Sequence, residues 1–266
     1  FKRDNLMAEA RMPEQDTAPR PSSGGGKPRK IENNYALSFT GDTAASAAED
    51  HVKTDFNPDD YNLNLGCTVS YWVRPDELGA TRFALGRKHN NSQRFTFGIN
   101  QAYSIFIGVG GNRMRSSWTT MGVDTSLLEY NADTDNWDLK TDGTWYHFAV
   151  TYADRESTSE GGVARKVYIN GELSQEANIN WSSTGGGTGG MMFGGRRLAG
   201  TGYNNAWACG LSQVVIFDTA KDAAWVKSVY ETDRNKLDKS FDRARNRAGA
   251  GIDPSGIVGY WKFDEG

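Results

Sequence analysis

Three aspartates at short intervals form the strongest metal-ligand pattern in the chain. The stretch NADTDNWDLKTDG contains Asp133, Asp135 and Asp138. Their carboxylates can converge on a hard cation such as calcium, with backbone carbonyls completing the shell. The stretch is not an EF-hand, because it lacks the glycine of the sharp turn and the distal glutamate. We therefore expect either a structural calcium site or a solvated acidic loop at this position.

Aromatic residues in loop-like stretches form a second group of candidates. Sugar rings stack their apolar faces on exposed aromatic rings, while nearby amides and carboxylates hydrogen-bond the hydroxyls. The candidate ligand-binding residues are Trp118, Trp137, Trp181 and Tyr203, with Asn204 and Asn205 beside Tyr203. Trp207 belongs to the same group, although it is close enough to a strand to be buried. For each aromatic residue, packing in the core is the alternative.

No catalytic residues are predicted. His147 lies in a strand-like run between aromatic residues, which favours a structural role, and His51 and His89 have no triad partner at a recognisable spacing. Cys-x-x-Cys, His-Glu-x-x-His, Gly-x-Ser-x-Gly and the phosphate-binding glycine-rich pattern are absent from the sequence. The sequence thus indicates that the protein is not an enzyme.

Composition narrows the range of partners. The chain has 266 residues and a formal net charge of −3, so no global field favours nucleic acid or an anionic membrane. No apolar run approaches the roughly 18 residues that a membrane span needs, so we expect no membrane insertion. Cys67 and Cys209 each lie in or beside an apolar run. They are either buried free thiols or one disulfide, which would require neighbouring strands.

The elements that must position these residues are mostly strands. Short runs such as CTVSYWV, RFTFGI and WYHFAVTY alternate apolar and polar residues and are separated by turn residues. This pattern favours a β-sandwich or jelly roll. Only TAKDAAWVKSVYE has helical character. Asp218 or Thr219 is its predicted N-cap, and Ala223, Val226 and Tyr230 fall on one face.

Composition also divides the chain into segments. Residues 1–30 form an extended or flexible arm that is rich in Pro, Ser, Gly and charge, and this arm is either a disordered tail or orders against a partner. Residues 31–231 contain the strand-like runs. Residues 232–256 are a polar connector, and residues 257–266 are a terminal strand.

Several motifs in series resemble the laminin-G-like (concanavalin A-like lectin/glucanase) jelly rolls. They cover about residues 35–231 and read YALSFTGD, CTVSYWVRPDE, GTWYHFAVTYA, KVYINGEL and GLSQVVIFDTAKDAAWVKSVY. The resemblance implies an all-β fold, an antiparallel two-sheet jelly-roll sandwich with one short helix and extended N- and C-terminal arms. In KVYINGEL, Asn170 and Gly171 stand where a two-residue hairpin turn requires positive φ. Members of the family often carry calcium near the rim of the sandwich.

The resemblance also allows the sequence to be compared with the catalytic pattern of glucanases. Glucanases of this architecture place two carboxylates on one face of a strand in the pattern Glu-x-Asp-x-x-Glu. That pattern is absent here, and Ser212-Gln213 stand where the family often has Asp-Glu. A glycoside hydrolase is therefore the least favoured of the functions that the family allows.

The layout of residues 232–266 resembles phage virion proteins in which a laminin-G-like unit is followed by a polar connector and a Gly-Tyr/Trp-Trp-Lys/Arg motif. This implies a non-catalytic structural or adhesion module on a virion surface, in a tail or capsid fibre, an appendage or a decoration protein. Its expected partners are other virion or surface-assembly subunits, contacted through residues 1–30 and 232–266, and cell-surface glycans. A homo-oligomer is expected. The alternative is a secreted or cell-surface carbohydrate-binding module.

The terminal strand GIVGYWKFDEG resembles the strand that opens many units of the family, and no such strand precedes YALSF. The segment either begins a second unit or returns to the first unit and takes the place of its missing opening strand. We favour the first alternative.

Overall fold

The computed structural model describes residues 36–41, 51–63, 65–78, 80–88, 94–100, 104–109, 112–118, 121–132, 135–153, 163–179, 190–197, 203–235, 256–261 and 263. The predicted arm at residues 1–30 and most of the predicted connector lie outside these residues. Within the described ranges, no helix combines the length and the apolar character that crossing a membrane requires.

Among the described residues, seven strands form the first sheet. They are β1 (Leu37–Thr40), β3 (Cys67–Pro75), β10 (Tyr146–Tyr152), β11 (Val163–Ile169), β12 (Glu172–Ile179), β16 (Ala208–Phe217) and β17 (Ile257–Trp261). The order across the sheet is β1–β16–β3–β10–β11–β12, with β17 paired to β16. Every pairing in this sheet is antiparallel.

In the described part of the chain, the second sheet has eight strands. They are β2 (Val52–Lys53), β4 (Arg82–Lys88), β5 (Arg94–Asn100), β6 (Ser104–Val109), β7 (Asn112–Ser117), β13 (Met192–Phe193), β14 (Arg196–Arg197) and β15 (Tyr203–Asn204). The order is β15–β14–β4–β5–β6–β7, and β13 pairs with both β2 and β4. A separate hairpin joins β8 (Leu128–Asn131) to β9 (Asn136–Leu139), and 3₁₀ turns cover Pro58–Asp60 and Thr125–Leu127.

The main core lies between the two sheets. Alternate residues of β3 and β5 point into it, so Tyr71 packs at 5.7 Å on Phe148 of its own sheet and edge-on at 6.5 Å on Phe97 of the opposite sheet. The antiparallel two-sheet jelly roll predicted from the strand pattern and the resemblance is confirmed.

Helix α1 (Ala223–Asn235) covers the outer face of the first sheet. Trp225, Val226 and Val229 pack there in a second apolar cluster that includes Phe217. The predicted N-cap was wrong: Asp222 accepts the Trp225 N–H at 2.7 Å, whereas the carbonyl of Thr219 accepts the Thr68 hydroxyl. Of the predicted face, Val226 is buried and Tyr230 stacks on Trp72, while Ala223, the first residue of the helix, is exposed.

The structure also describes the predicted hairpin turn, the two cysteines and the terminal strand. Asn170 and Gly171 have φ of 51° and 84°, as the predicted hairpin between β11 and β12 requires. Cys67 and Cys209 are buried free thiols. The terminal strand β17 pairs with β16, which corresponds to the alternative in which the segment returns to the jelly roll.

Candidate functional site

The hairpin formed by β8 and β9 carries the most prominent exposed aromatic surface among the described residues. Its base is the cross-strand pair Leu128 and Leu139, which are 3% and 1% exposed and belong to the main core. One pair further out on the same face, Tyr130 and Trp137 are 49% and 36% exposed. The hairpin is therefore anchored by leucines and presents aromatic rings to solvent.

The two exposed rings form one unit. Tyr130 and Trp137 have ring centroids 5.5 Å apart and planes inclined at 62°, so they form an open corner rather than a flat stack. The Tyr130 hydroxyl donates to Oδ1 of Asp135 at 2.5 Å, and this bond raises the pKa of Tyr130. Asp135 itself has φ of 51° at the turn of the hairpin. The side chain of Tyr130 is thus held by the Trp137 ring and by the hydrogen bond of its hydroxyl group to Asp135.

The opposite face of the hairpin is polar. Glu129 lies directly across from Asp138, and the amide Nδ2 of Asn131 donates to Oδ2 of Asp138 at 3.4 Å. Asp138 is 3% exposed, and its Oδ1 has no hydrogen-bond partner within the described ranges. Burial, with a smaller contribution from Glu129, raises the pKa of Asp138 to about 6.

Hydrogen bonds on either side of the hairpin hold its base. The Tyr146 hydroxyl donates to the carbonyl of Leu127 at 2.7 Å and accepts the Lys140 N–H at 2.8 Å. The Lys140 ammonium donates to the carbonyl of Ser126 at 2.7 Å, and Asp124 caps the 3₁₀ turn by accepting the Ser126 N–H. The entry and exit of the hairpin are therefore joined to β10.

The predicted ligand-binding residues differ in how exposed their side chains are. Trp137 is exposed on the hairpin, as expected of a stacking residue. The prediction for Trp118 was wrong: it is 1% exposed and packs at 6.0 Å on Phe148, so no ligand reaches its ring from the surface. Trp207 is also buried, with its indole N–H donating to the carbonyl of Glu77.

Asn205 does not join the hairpin. The amide of Asn205 donates to the carbonyl of Thr81 at 2.9 Å and accepts from Arg196 at 3.2 Å, so both of its ends serve the fold rather than a ligand. Tyr203 and Asn204 form β15, but their side chains lie outside the described part of the structure, as does all of Trp181.

The predicted calcium ligands are only partly visible. Asp133 lies outside the described residues, while Asp135 and Asp138 lie at the turn and in β9. Within the described ranges, no group of three or more His, Cys, Asp or Glu side chains is arranged to hold a metal ion. The unpartnered buried Oδ1 of Asp138 and the oxygen-rich side chains around it nevertheless suit a hard cation chemically.

His147 has a structural position. It is fully buried in β10, its Nε2 lies 2.8 Å from the Ser70 hydroxyl oxygen, and its backbone N–H donates to the side chain of Asn170. Burial lowers its pKa to about 3, which keeps the imidazole neutral at pH 7. It is inaccessible to a substrate, as expected for a histidine within a sheet.

Sequence reasoning missed Tyr130. The usable signal was mirror symmetry: Leu128 and Tyr130 are repeated in reverse as Trp137 and Leu139 on the other side of a polar turn. Such spacing predicts that the leucines pair with each other and the aromatic residues with each other, as observed.

A family model described as the concanavalin A-like lectin/glucanases superfamily matches residues 46–227. No curated protein matches the chain.

Solved structures with a similar fold share little sequence with the chain. A proposed carbohydrate-binding protein from Bacteroides ovatus is 16% identical, with a TM-score of 0.48 over 85% of this chain and 52% of its own. The receptor-binding domain of a botulinum neurotoxin C/D mosaic serotype is 14% identical, with a TM-score of 0.48 over 78% and 45%. A heptameric SAP-like pentraxin from Limulus polyphemus is 16% identical, with a TM-score of 0.40 over 62% and 70%. The chain spans about half the length of the first two.

Proposed function

Because the chain belongs to the concanavalin A-like lectin/glucanases superfamily, we propose that it is a non-catalytic binding module that recognises glycans at the β8–β9 hairpin. The observation that carries the proposal is the exposed corner of Tyr130 and Trp137 on a hairpin with a buried, hydrogen-bonded base. An exposed aromatic pair with fixed geometry offers apolar faces to a sugar ring without a large entropic cost of ordering.

A polar group beside the corner would supply directional contacts. Asp135 is exposed at the turn, and its carboxylate lies beside the two rings because it accepts the Tyr130 hydroxyl. A carboxylate accepts hydrogen bonds from sugar hydroxyls. In this arrangement the rings provide most of the contact area, while the turn distinguishes one hydroxyl pattern from another.

The positions of the carboxyl groups on the hairpin support our proposal that the protein does not hydrolyse glycans. Glycoside hydrolysis needs two carboxyl groups that flank the scissile bond. Glu129 and Asp138 face each other across the strands, but Asp138 is buried and Glu129 is exposed on the face opposite the aromatic corner. A sugar stacked on Tyr130 and Trp137 would therefore lie on the wrong face of the hairpin for both carboxyl groups.

Calcium is a second part of the proposal. We place it at the polar face, with Asp138 as the principal ligand and Asp133 beside it, whereas Asp135 is turned to the Tyr130 hydroxyl at the aromatic corner. The charge of the calcium ion would balance the buried carboxylate of Asp138, whose Oδ1 has no hydrogen-bond partner among the described residues. The effect would be structural, because a cation there would fix the turn that carries Asp135.

We propose a virion surface as the location, with residues 1–30 and 232–266 contacting neighbouring subunits. The layout of residues 232–266 supports this proposal. A secreted or cell-surface carbohydrate-binding module is the alternative, and the glycan contacts would be the same. Mass spectrometry of purified particles distinguishes the two: the chain is expected in the particle, and its recovery only as a free protein would favour the alternative.

Glycan binding is tested with an array of saccharides and the purified full chain. We expect saturable binding to a restricted set of glycans. The Trp137→Ala variant should lose it, and Leu173→Ala should keep it, because Leu173 is 51% exposed on β12 outside the hairpin. Binding that is equal in the two variants would reject the hairpin as the site.

A further inference from the structure

Two strands from opposite ends of the chain share one edge of the first sheet. Strand β1 pairs with Ala208–Leu211 of β16, and β17 pairs with Val214–Phe217 of the same strand. Both are antiparallel to β16, so they run in the same direction, one after the other. On the opposite side, the pairing of β16 with β3 shifts register between Ser212 and Val215, where Gln213 has φ of 48°. The outer edge of β16 is therefore completed by a strand that comes last in the sequence.

One face of β17 fits a specific aromatic site. The ring of Trp261 lies edge-on to Phe56 at 5.6 Å and to Phe193 at 5.0 Å, and Phe263 lies 5.4 Å from Phe193. Trp261 folds back over Gly259, where a Cβ atom would come within 2.5 Å of the indole ring. Phe56 and Phe193 are buried, so β17 closes the main core at this edge.

The other face of β17 and its first residues are also held. Ile257 and Tyr260 pack against the cluster formed by α1 and the outer face of the first sheet. The N–H of Asp218 donates to the carbonyl of Gly256 at 2.8 Å. Even so, each residue of β17 remains partly exposed, as expected of an edge strand.

The link between α1 and β17 is long. Residues 236–256 separate Asn235 from Ile257, and an extended segment of about 20 residues spans about 70 Å. The contacts described above involve β16, Phe56, Phe193 and α1, and each would be identical if β17 came from a neighbouring molecule. Exchange of such an element between copies changes few contacts, so concentration decides between the two forms.

We propose that the outer edge of β16, with Phe56 and Phe193, is a strand-acceptor site that takes Ile257–Trp261 from a second copy of this chain. Reciprocal exchange would give a closed dimer, and one-way exchange would give an open chain of copies. The copy's own β17 occupies the site in dilute solution, because its link holds it at a high local concentration. Crowding of copies on an assembled surface favours exchange. Glycan binding has no part in this inference, so each can fail without the other.

Disulfide trapping tests the exchange in the full chain. Val215 and Tyr260 are cross-strand partners, and both lie on the face that packs towards α1. The V215C/Y260C double variant should close within one molecule at low concentration, which tests the geometry. A mixture of V215C and Y260C single variants should form a disulfide-linked dimer whose yield rises at least tenfold between micromolar and millimolar protein. The native cysteines are buried and do not compete.

A mixture of S38C and Y260C is the matched control, because Ser38 is exposed on β1 and pairs with Gly210 rather than with Tyr260. It should give at least tenfold less dimer. If the double variant closes and the V215C and Y260C mixture gives no more dimer than this control, the proposal is overturned.

A second measurement does not depend on disulfide geometry. A labelled peptide of residues 255–266 is titrated against the full-length Gly259→Val variant, in which the added side chain is expected to collide with the Trp261 ring and displace the variant's own β17. Saturable binding is expected, and a peptide with Trp261→Ala should bind at least tenfold more weakly. Absence of binding would overturn the acceptor site. If the peptide binds but the wild-type chain forms no dimer at millimolar concentration, the site accepts only the chain's own strand or a strand of another protein. This outcome would overturn the proposed exchange between copies.

Discussion

Tyr130 and Trp137 face each other across the β8–β9 hairpin, with ring centroids 5.5 Å apart, and they are the next pair on the same face after the buried pair Leu128 and Leu139. On this face of the hairpin, the leucine pair lies in the core and the next pair of side chains is exposed to solvent. The leucines fix the position of the hairpin, and the aromatic pair forms its exposed surface.

The ring of Tyr130 should matter more to glycan binding than its hydroxyl group. Tyr130→Ala removes half of the corner, and we expect the affinity for a bound glycan to fall at least about fivefold, or about 1 kcal/mol. Tyr130→Phe keeps the ring and loses only the hydrogen bond to Asp135, so its affinity should fall less. Titration calorimetry measures both, and equal losses would show that the hydroxyl group carries the interaction.

Calcium should stabilise the chain through Asp138. At a calcium concentration about 100 times Kd, the free energy of unfolding should rise by about 2.7 kcal/mol, which is a rise of several degrees in Tm. Asp138→Asn should abolish the rise. Asp76→Asn removes the same charge from an exposed site paired with Arg74 and should retain it. A thermal scan in which the wild type and both variants respond alike would argue against a cation at Asp138.

Adding one methyl group at Gly259 should destabilise the fold. Gly259→Ala would push the ring of Trp261 away from Phe56 and Phe193, at a cost of about 1–3 kcal/mol. Gly66→Ala is the control, because the nearest atom to its Cβ would lie 3.4 Å away, an ordinary contact. Its effect should stay within about 0.5 kcal/mol. Urea unfolding measures both; similar values for the two would mean that Trp261 is not seated as described.

Acid should destabilise the protein through His147. Its folded pKa of about 3 lies below the ordinary value of 6.5, so the unfolded chain binds the proton first as the pH falls. The resulting stability is fully present above pH 6.5 and is lost as the pH falls towards 3, with roughly 2 kcal/mol lost by pH 5.

Comparison with His147→Gln isolates this contribution. Asp138 acts in the opposite sense, since its raised pKa makes stability fall as the pH rises from about 4 to about 6. The variant keeps Asp138, so the difference between the two unfolding curves belongs to His147. An unchanged pH dependence in His147→Gln would contradict this assignment.

The fold could be predicted from the sequence because its strands alternate strongly. Runs such as CTVSYWV and RFTFGI appear as β3 and β5, and Asn170 and Gly171 adopt the positive φ that a two-residue hairpin turn requires. The helix cap was misplaced because Asp218, Thr219 and Asp222 are all acceptable N-caps. Only the packing of Trp225 and Val229 decides where the first turn begins.

The candidate site was less predictable. Trp118 and Trp137 both have polar neighbours in the sequence, yet Trp118 is buried in the main core and Trp137 is exposed to solvent. What separates them is long-range pairing: Trp137 lies opposite Tyr130 in a hairpin whose strands are too polar to recognise from alternation alone. The position of β17 likewise depends on Phe56 and Phe193, which are remote from it in the sequence.

Glycan recognition at the β8–β9 hairpin is tested by titrating an array-identified glycan into the wild type, Trp137→Ala and Leu173→Ala, with hydrolysis of that glycan followed in parallel. We expect saturable binding without hydrolysis for the wild type and for Leu173→Ala, and at least a tenfold weaker affinity for Trp137→Ala. Equal binding by all three proteins, or turnover of the glycan that Asp138→Asn abolishes, would contradict this proposal.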